Sequence, residues 1–101
     1  MEQFNNGTMS TFLSIINLSY NTKDLTIRCI ESIIEQYRKE LKDRKIEIIV
    51  VDNASTDGSP SAISNLKSQI SNIKLVENKE NFGFAKGCNI GAKAAKGKYI
   101  L

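Results

Sequence analysis

Polar side chains follow three short apolar segments of this chain, and these clusters are where chemistry could take place. They are Ser19-Tyr20-Asn21, Asp52 to Gly58, and Asn78 to Asn81. In an open α/β sheet, ligands bind beyond the carboxyl ends of the strands. Asp52 follows the aliphatic run Ile48 to Val51 directly, so we expect its carboxylate to project at the tip of a strand. There it could accept a donor from a ligand: an imide, an amide or a sugar hydroxyl.

A structural explanation competes with the ligand role of Asp52. Asp and Asn after a strand often stabilise a turn through bonds from the side chain to the backbone, and residue type alone favours that explanation. It applies more strongly to Asp57, because Asp57-Gly58 is typical of a turn with glycine at a positive φ.

The elements that must position these clusters alternate along the chain. β-Branched apolar segments predict strands at 12–18, 45–51, 73–77 and from 99 onward. The segments between them predict three helices, the third over 83–95 and ended by Gly97. Strand and helix in strict alternation predict an α/β fold, a three-layer α/β/α arrangement with a mainly parallel sheet and right-handed crossovers.

Helix-start signals and an apolar stripe support the first two helices. Asn21 or Thr22 can cap the first helix, and Ser59 can cap the second, with Pro60 in its first turn. The first helix repeats apolar residues at steps of three and four, which predicts its buried face. These residues are Leu25, Cys29, Ile30, Ile33, Ile34, Tyr37 and Leu41.

Composition narrows the function classes. The chain has 101 residues, which allows one small domain or a piece of a larger one, and its net charge of +3 is spread out, so we expect no nucleic-acid partner. It has no His, and Cys29 and Cys88 lie far apart, so a zinc site is not expected. We expect residues 1–11 to form a flexible N-terminal segment without a secretory signal. The chain stops inside its fourth apolar segment, at Leu101, which suggests the N-terminal part of a longer protein.

The glycines of the third helix do not form a nucleotide motif of a common kind. Gly83, Gly87 and Gly91 allow either close packing of a helix on the sheet or close approach of a ligand. No Gly-Lys-Ser/Thr loop is present and no GxGxxG follows the first strand. This pattern argues against P-loop enzymes and dinucleotide dehydrogenases.

Three motifs in register nevertheless resemble one family. "SIINLSYNTKDLTIRCIESI", "EIIVVDNASTDGS" and "VENKENFGFAKGCNIGAKAAKGKYIL" together look like the N-terminal nucleotide-binding part of family 2 glycosyltransferases, which have the Rossmann-like GT-A fold. The resemblance covers about residues 12–101, nearly the whole chain. It is nearest to rhamnosyltransferase-like enzymes of polysaccharide assembly, and it implies a GT-A domain that is truncated within strand 4.

The resemblance implies a nucleotide-sugar site. The matching positions place the base beside the backbone of Leu18 and the ring of Tyr20, and give Asp52 the imide N–H of uracil or thymine. The other implied binding residues are Ser19, Asn21, Asn53, Asn81, Gly83, Lys86 and Asn89, the last four near ribose or diphosphate. Cys88 departs from the family, since related sequences often have Asn or Arg there.

The resemblance also implies what the complete enzyme would do. It would transfer a sugar from a UDP- or dTDP-sugar to a polysaccharide or lipid-linked acceptor, with Mg2+ or Mn2+ bound by residues that are not in this chain. No catalytic residue can be named from these positions. We expect a cytoplasmic location, and a C-terminal part could attach the enzyme to the membrane.

Two alternatives remain open at this stage. The chain could act as it stands, as a non-catalytic nucleotide-binding or interaction module, or be a truncated product without activity. A nucleotidyltransferase is a weaker alternative, because the polar segment 19–22 is not a glycine-rich basic loop.

Overall fold

A computed structural model of the chain describes residues 11–70 and 72–101. The expected flexible segment at the N-terminus therefore lies outside the described residues, apart from Thr11. No helix within the described ranges is long and apolar enough to cross a bilayer. The elements in chain order are β1 (Leu13–Ser19), α1 (Lys23–Lys42), β2 (Ile46–Asp52), α2 (Ser59–Gln69), β3 (Ile73–Glu77), α3 (Gly83–Ala94) and β4 (Tyr99–Ile100).

The four strands form one parallel sheet in the order β3-β2-β1-β4. Helices α1 and α2 cover one face, where Ile30, Ile34 and Ile63 pack in one core cluster. Helix α3 covers the other face, where Ile90 and Ala94 pack against a second cluster. The predicted three-layer α/β/α fold is confirmed.

Strand β2 lies inside the sheet and every residue in it is buried. Ile48 and Val50 face the core under α1 and α2, while Ile49 and Val51 face the core under α3. A parallel strand covered by helices on both faces needs apolar residues at both alternating sets of positions. The unbroken aliphatic run is the sequence sign of that double burial.

The predicted apolar stripe of α1 is partly wrong. Ile30, Ile34 and Leu41 are buried as predicted, but Leu25 is 66% exposed, and Cys29 and Tyr37 are exposed as well. Successive residues point about 100° apart around a helix, so Leu25 and its neighbour Thr26 cannot both face the sheet. Thr26 takes the buried position, where its hydroxyl bonds to that of Ser19 at 2.9 Å.

A buried carboxylate joins several elements at the amino-terminal end of the sheet. Glu47 is 1% exposed. Its Oε2 accepts the hydroxyl of Ser14 and the backbone N–H of Lys96, each at 2.5 Å, and the Nζ of Lys74 lies 3.0 Å from Oε1. Glu47 thus ties β2 to β1, to β3 and to the segment between α3 and β4.

The pKa of Glu47 lies below its ordinary value. Burial raises the pKa, but the bonds from Ser14, the Lys96 N–H and Lys74 together lower it by more. A carboxylate with a lowered pKa in the folded state stabilises the fold when it is ionised. This contribution is fully present above the unfolded pKa of about 4.3 and is lost as the pH falls through the folded pKa.

Gly97 was predicted to end the third helix, and that prediction is wrong. The helix ends at Ala94, and Gly97 lies against β1 instead. A Cβ on Gly97 would lie 2.5 Å from the Oγ and 2.6 Å from the backbone N of Ser14, and 2.8 Å from the carbonyl carbon of Leu13. Its N–H donates to the Ser14 Oγ at 2.7 Å, so glycine is needed for this close approach.

Replacing Glu47 by Gln is expected to lower the free energy of unfolding at pH 7 by about 1–3 kcal/mol, because one of the three donors loses its acceptor. The difference from the wild type should shrink as the pH falls below about 4.3. Urea unfolding between pH 3 and pH 7 measures both effects. Glu77→Gln is the control, since Glu77 is exposed on β3. A pH-independent difference would contradict the role assigned to the ionised carboxylate.

Gly97→Ala is expected to destabilise the chain by about 1–3 kcal/mol, the usual cost of forcing an added methyl group into a packed site. Besides the Ser14 Oγ, the atoms it would meet are backbone atoms of β1, which cannot move aside as a side-chain end can. Thermal unfolding compared with Lys98→Ala, a change at the exposed neighbouring residue, measures the cost. Equal stability of the two variants would show that β4 can move away from β1.

Candidate functional site

Three loops meet at the carboxyl edge of the sheet. The parallel register pairs Ser19 of β1 with Asp52 of β2, and Asp52 with Glu77 of β3. The polar segments that follow these strands therefore begin side by side. The sequence prediction that the three polar clusters share one edge is confirmed for the ends of the three strands.

Asp52 does not project from the tip of its strand as predicted. It is the last residue of β2 and is 1% exposed. Its Oδ2 accepts the backbone N–H of Ser55 at 2.9 Å, and its Oδ1 accepts the Ser55 hydroxyl at 2.7 Å. These two bonds shape the turn that follows β2, in which Ala54 takes a left-handed φ of 64°.

Asn21 and Ser55 join the first two loops. The backbone N–H of Asn21 donates to the Ser55 Oγ at 2.9 Å, and Asn21 Oδ1 accepts the backbone N–H of Thr56 at 2.8 Å. Asn21 itself has a left-handed φ of 50°, a conformation that Asn adopts more readily than most residues. The side chain of Asn21 therefore holds the β2–α2 loop rather than capping α1.

Asp57 supplies the caps that the sequence assigned to other residues. Thr22 precedes α1 without a capping bond from its side chain, and Ser59 is the first residue of α2 rather than its cap. Asp57 accepts the backbone N–H of Lys23 at 2.9 Å and that of Ser59 at 3.0 Å. The hydroxyl of Ser59 also donates to Asp57, and this bond is the main cause that lowers the pKa of the Asp57 carboxyl. The predicted turn role of Asp57 and the positive φ of Gly58, 84°, are confirmed.

Asn53 connects all three clusters. It is 2% exposed, and its backbone N–H donates to the carbonyl of Ser19 at 2.9 Å. Its side-chain Nδ2 donates to the carbonyl of Gly83 at 3.3 Å, and its Oδ1 accepts the Nδ2 of Asn78 at 2.8 Å. The backbone N–H of Asn53 thus binds the end of β1, and its side-chain amide binds the start of α3 and the residue that follows β3.

The glycines of α3 bring this helix close to the sheet. A Cβ on Gly87 would lie 2.5 Å from Leu18 Cδ1 and 3.1 Å from Asn53 Nδ2, and one on Gly91 would lie 2.7 Å from Ile16 Cγ2. Both glycines are buried. Close packing of α3 on the sheet explains why positions 87 and 91 are glycine. This packing places α3 beside the predicted site.

The predicted site residues of the third cluster lie at the start of α3 and along it. Asn81 Oδ1 accepts the N–H of Gly83 at 2.8 Å, and Gly83 has a φ of 82°. Lys86 is exposed, with its Nζ 4.3 Å from the ring centre of Phe82. Asn89 is exposed one turn further along, so the structure spreads these four residues over two turns of helix.

The first polar cluster, Ser19-Tyr20-Asn21, could contact a ligand through the ring of Tyr20 and through its backbone. Tyr20 is 48% exposed, so its ring has a face available for stacking. Ser19 is fully buried, and its hydroxyl bonds to Thr26 rather than reaching the edge. Ser19 therefore presents no side-chain group at this edge, and its carbonyl already accepts the N–H of Asn53.

A separate apolar groove of about 470 Å³ lies between β1, α3 and β4. It shares only Leu18 and Asn89 with the predicted site residues, and Tyr20 and Asp52 do not line it. Its other lining residues are Ile16, Asn17, Phe84, Cys88, Ala92, Ile100 and Leu101. The groove borders the predicted site without coinciding with it, and its lining suits apolar contact.

The described residues do not form a metal centre of their own. In 11–70 and 72–101 there is no group of three or more His, Cys, Asp or Glu side chains that could hold a metal ion. Hard divalent cations require several oxygen ligands together. The donors present here do not fit such an ion.

Sequence reasoning missed two polar residues that hold the site together. Ser55 binds both Asp52 and Asn21, and Asn78 binds Asn53. The Asp-x-x-Ser spacing of Asp52 and Ser55 could have indicated the turn. The bonds to Asn21 and Asn53 join residues 34 and 25 positions apart, and no local pattern reveals them.

A family model and the curated relatives both identify this chain as similar to glycosyltransferases. The model of the family described as glycosyl transferase family 2 matches residues 14–101. The chain is 38% identical over 88 residues to the Escherichia coli enzyme UDP-Glc:alpha-D-GlcNAc-diphosphoundecaprenol beta-1,3-glucosyltransferase WfaP, covering 87% of this chain and 32% of that protein. The chain spans between 14% and 33% of the length of eight such curated relatives, all of them named as glycosyltransferases.

Solved structures share the fold. The mannosyltransferase PcManGT from Pyrobaculum calidifontis, in complex with GDP-Man and Mn2+, matches with a TM-score of 0.73 and 32% identity over 87% of this chain and 25% of that one. S. aureus TarS 1–349, in complex with UDP-GlcNAc, matches with a TM-score of 0.77 and 25% identity over 90% of this chain and 25% of that one. The predicted GT-A fold is confirmed by these neighbours.

Ala54→Gly is expected to raise the free energy of unfolding by up to about 1 kcal/mol. Glycine removes the Cβ strain of the left-handed φ, and this gain exceeds the extra flexibility of the unfolded chain. The same change at Ala62, inside α2, should instead cost about 0.5–1 kcal/mol. Urea unfolding of both variants tests whether their changes in the free energy of unfolding have opposite signs. A loss of stability in Ala54→Gly would show that the turn carries no strain at this residue.

Proposed function

The chain belongs to glycosyl transferase family 2, and from this membership we propose that its carboxyl edge binds the nucleotide of a UDP- or dTDP-sugar donor. The observation that carries the proposal is the hydrogen bonding of Asn53, which joins the ends of β1 and β3 to the start of α3. Residues from three clusters are therefore held at one edge, where ligands of open α/β sheets bind.

Tyr20 is the residue that we assign to the base. Tyr20 is about half exposed and directly follows Leu18 and Ser19 in the chain, and an aromatic face stacks on any nucleobase. The backbone groups at the end of β1 would then lie level with the edge of the base. Asn21, whose backbone N–H donates to Ser55, is the next residue in the chain.

Asp52 as the acceptor of a pyrimidine imide N–H stays a prediction. The carboxylate has acceptor capacity beyond the two bonds from Ser55, but it is 1% exposed. An acceptor at this position would favour uracil or thymine over cytosine, whose N3 is itself an acceptor. The UDP-GlcNAc complex of TarS supports a uracil nucleotide, whereas the GDP-Man complex of PcManGT shows that the fold also accommodates guanine.

The residues of α3 are assigned to ribose or diphosphate. Lys86 is an exposed cation near the start of the helix. Asn81, Gly83 and Asn89 belong to the same short segment of the chain. A cation and helix-start amides suit an anionic diphosphate. The exposed ammonium of Lys86 would have to leave the ring of Phe82 to bind it.

The complete enzyme would transfer the donor sugar to a polysaccharide or lipid-linked acceptor. Support comes from WfaP, whose name specifies a diphosphoundecaprenol acceptor and a UDP-Glc donor. We also propose a divalent metal ion, Mg2+ or Mn2+, which the Mn2+ in the PcManGT complex supports. The donors among the described residues do not fit this ion, so its ligands are assigned outside them.

Calorimetric titration of the protein with UDP, dTDP, GDP and CDP tests the nucleotide proposal. We expect UDP and dTDP to bind more tightly than GDP and CDP. No measurable binding of any nucleotide would overturn the proposed function, and preference for GDP would overturn the assignment of the base.

Tyr20→Ala is expected to weaken UDP binding by about fivefold or more, because stacking contributes about 1–3 kcal/mol per base. Tyr20→Phe should bind nearly as well as the wild type, since it keeps the ring. Tyr99→Ala is the matched control, because Tyr99 is 39% exposed at the opposite end of the sheet. A similar loss in Tyr99→Ala and Tyr20→Ala would refute a stacking role for Tyr20.

A further inference from the structure

A chain of hydrogen bonds runs from the buried carboxylate of Asp52 to the backbone beside Tyr20. The Ser55 hydroxyl donates to Asp52 Oδ1 at 2.7 Å, and the backbone N–H of Asn21 donates to the same hydroxyl at 2.9 Å. The N–H of Ser55 also donates to Asp52 Oδ2 at 2.9 Å. Ser55 is therefore the link between Asp52 and the loop that carries Tyr20.

The polarity of this chain is set by the carboxylate. A hydroxyl has one hydrogen to donate, and an ionised carboxylate can only accept. The hydrogen of Ser55 therefore points at Asp52, and a lone pair is left for the N–H of Asn21. A bond to a charged acceptor is stronger than a neutral one and strengthens the next bond in the chain.

The bond to Asn21 acts on Tyr20 through the peptide plane. The N–H of Asn21 lies in the same rigid plane as the carbonyl of Tyr20, so fixing one fixes the other. Asn21 has a φ of 50°, in the left-handed region that Asn adopts more readily than most residues but that still costs more than the right-handed one. The bonds to Ser55 and to the Thr56 N–H hold Asn21 in that conformation.

We propose that Ser55 is a positioning residue for the nucleotide site, through which the carboxylate of Asp52 fixes the Tyr20–Asn21 peptide and so the backbone position from which the Tyr20 ring extends. The inference rests on the proposed function, because it requires Tyr20 to contact the base. It gives Asp52 a role that needs no direct contact with the nucleotide. It also makes Ser55 a determinant of nucleotide affinity without contact of its own.

Ser55→Ala removes the link and is expected to weaken UDP binding by about three- to tenfold, the loss that one hydrogen bond gives. Ser55→Thr keeps the hydroxyl and should bind within about twofold of the wild type. Ser61→Ala makes the same change at an exposed position of α2 and serves as the control. Loss of binding in Ser55→Thr equal to that in Ser55→Ala would overturn the role of the hydroxyl.

The decisive readout is the coupling between Ser55 and Tyr20 in a double-mutant cycle of UDP affinity. If Ser55 acts through the ring, Ser55→Ala should have little further effect once Tyr20 is Ala. Two independent, additive losses would overturn the proposal and leave Ser55 as a general support of the loop. The cycle uses UDP, measured by calorimetry on the same four proteins.

Hydrogen exchange separates this inference from the proposed function. The amide of Asn21 should exchange faster in Ser55→Ala than in the wild type or in Ser61→Ala, without any nucleotide present. Unchanged exchange overturns the hydrogen-bond chain even if UDP binds. Failure of the wild type to bind UDP or dTDP overturns the nucleotide site and the positioning role together, whatever the exchange shows.

Discussion

The carboxylate of Glu47 is the interaction on which the arrangement of the sheet depends. It is buried beside Ser14 of β1 and Lys74 of β3, and it accepts the backbone N–H of Lys96 ahead of β4. An isolated carboxylate in this place would be strongly unfavourable, so its three donors must be present together. Their positions fix how the neighbouring strands and the end of α3 approach β2.

A second buried carboxylate lies at the opposite end of the same strand. Asp52 is separated from Glu47 by four aliphatic residues that fill the cores on both faces, a rise of about 16 Å along the strand. Glu47 organises strands and a helix end, whereas Asp52 organises a loop through Ser55. One strand thus supports both the frame of the domain and the edge where a ligand would bind. A site fixed by such bonds before binding loses less conformational freedom when the ligand arrives.

The order and type of every element could be predicted from local patterns, because β-branched runs, periodic apolar residues and Pro60 act over a few positions. The boundaries differed by a residue or two, and that shift matters at Asp52, which belongs to β2 and is buried. Its burial depends on donors placed by the folded turn. The caps of α1 and α2 failed as predictions for a similar reason. Asp57 reaches Lys23 across 34 residues, and only the parallel pairing of β1 and β2 brings the two together.

The contact between Gly87 and Leu18 has an evolutionary consequence. The missing Cβ of Gly87 is matched by the bulk of Leu18, whose Cδ1 would lie 2.5 Å from it. A larger side chain therefore fits at one of these two positions only if the side chain at the other is smaller. Among homologues, a larger residue at the position of Gly87 should accompany a smaller one at the position of Leu18. Substitutions at these two positions should consequently arise as correlated pairs in which total volume is conserved.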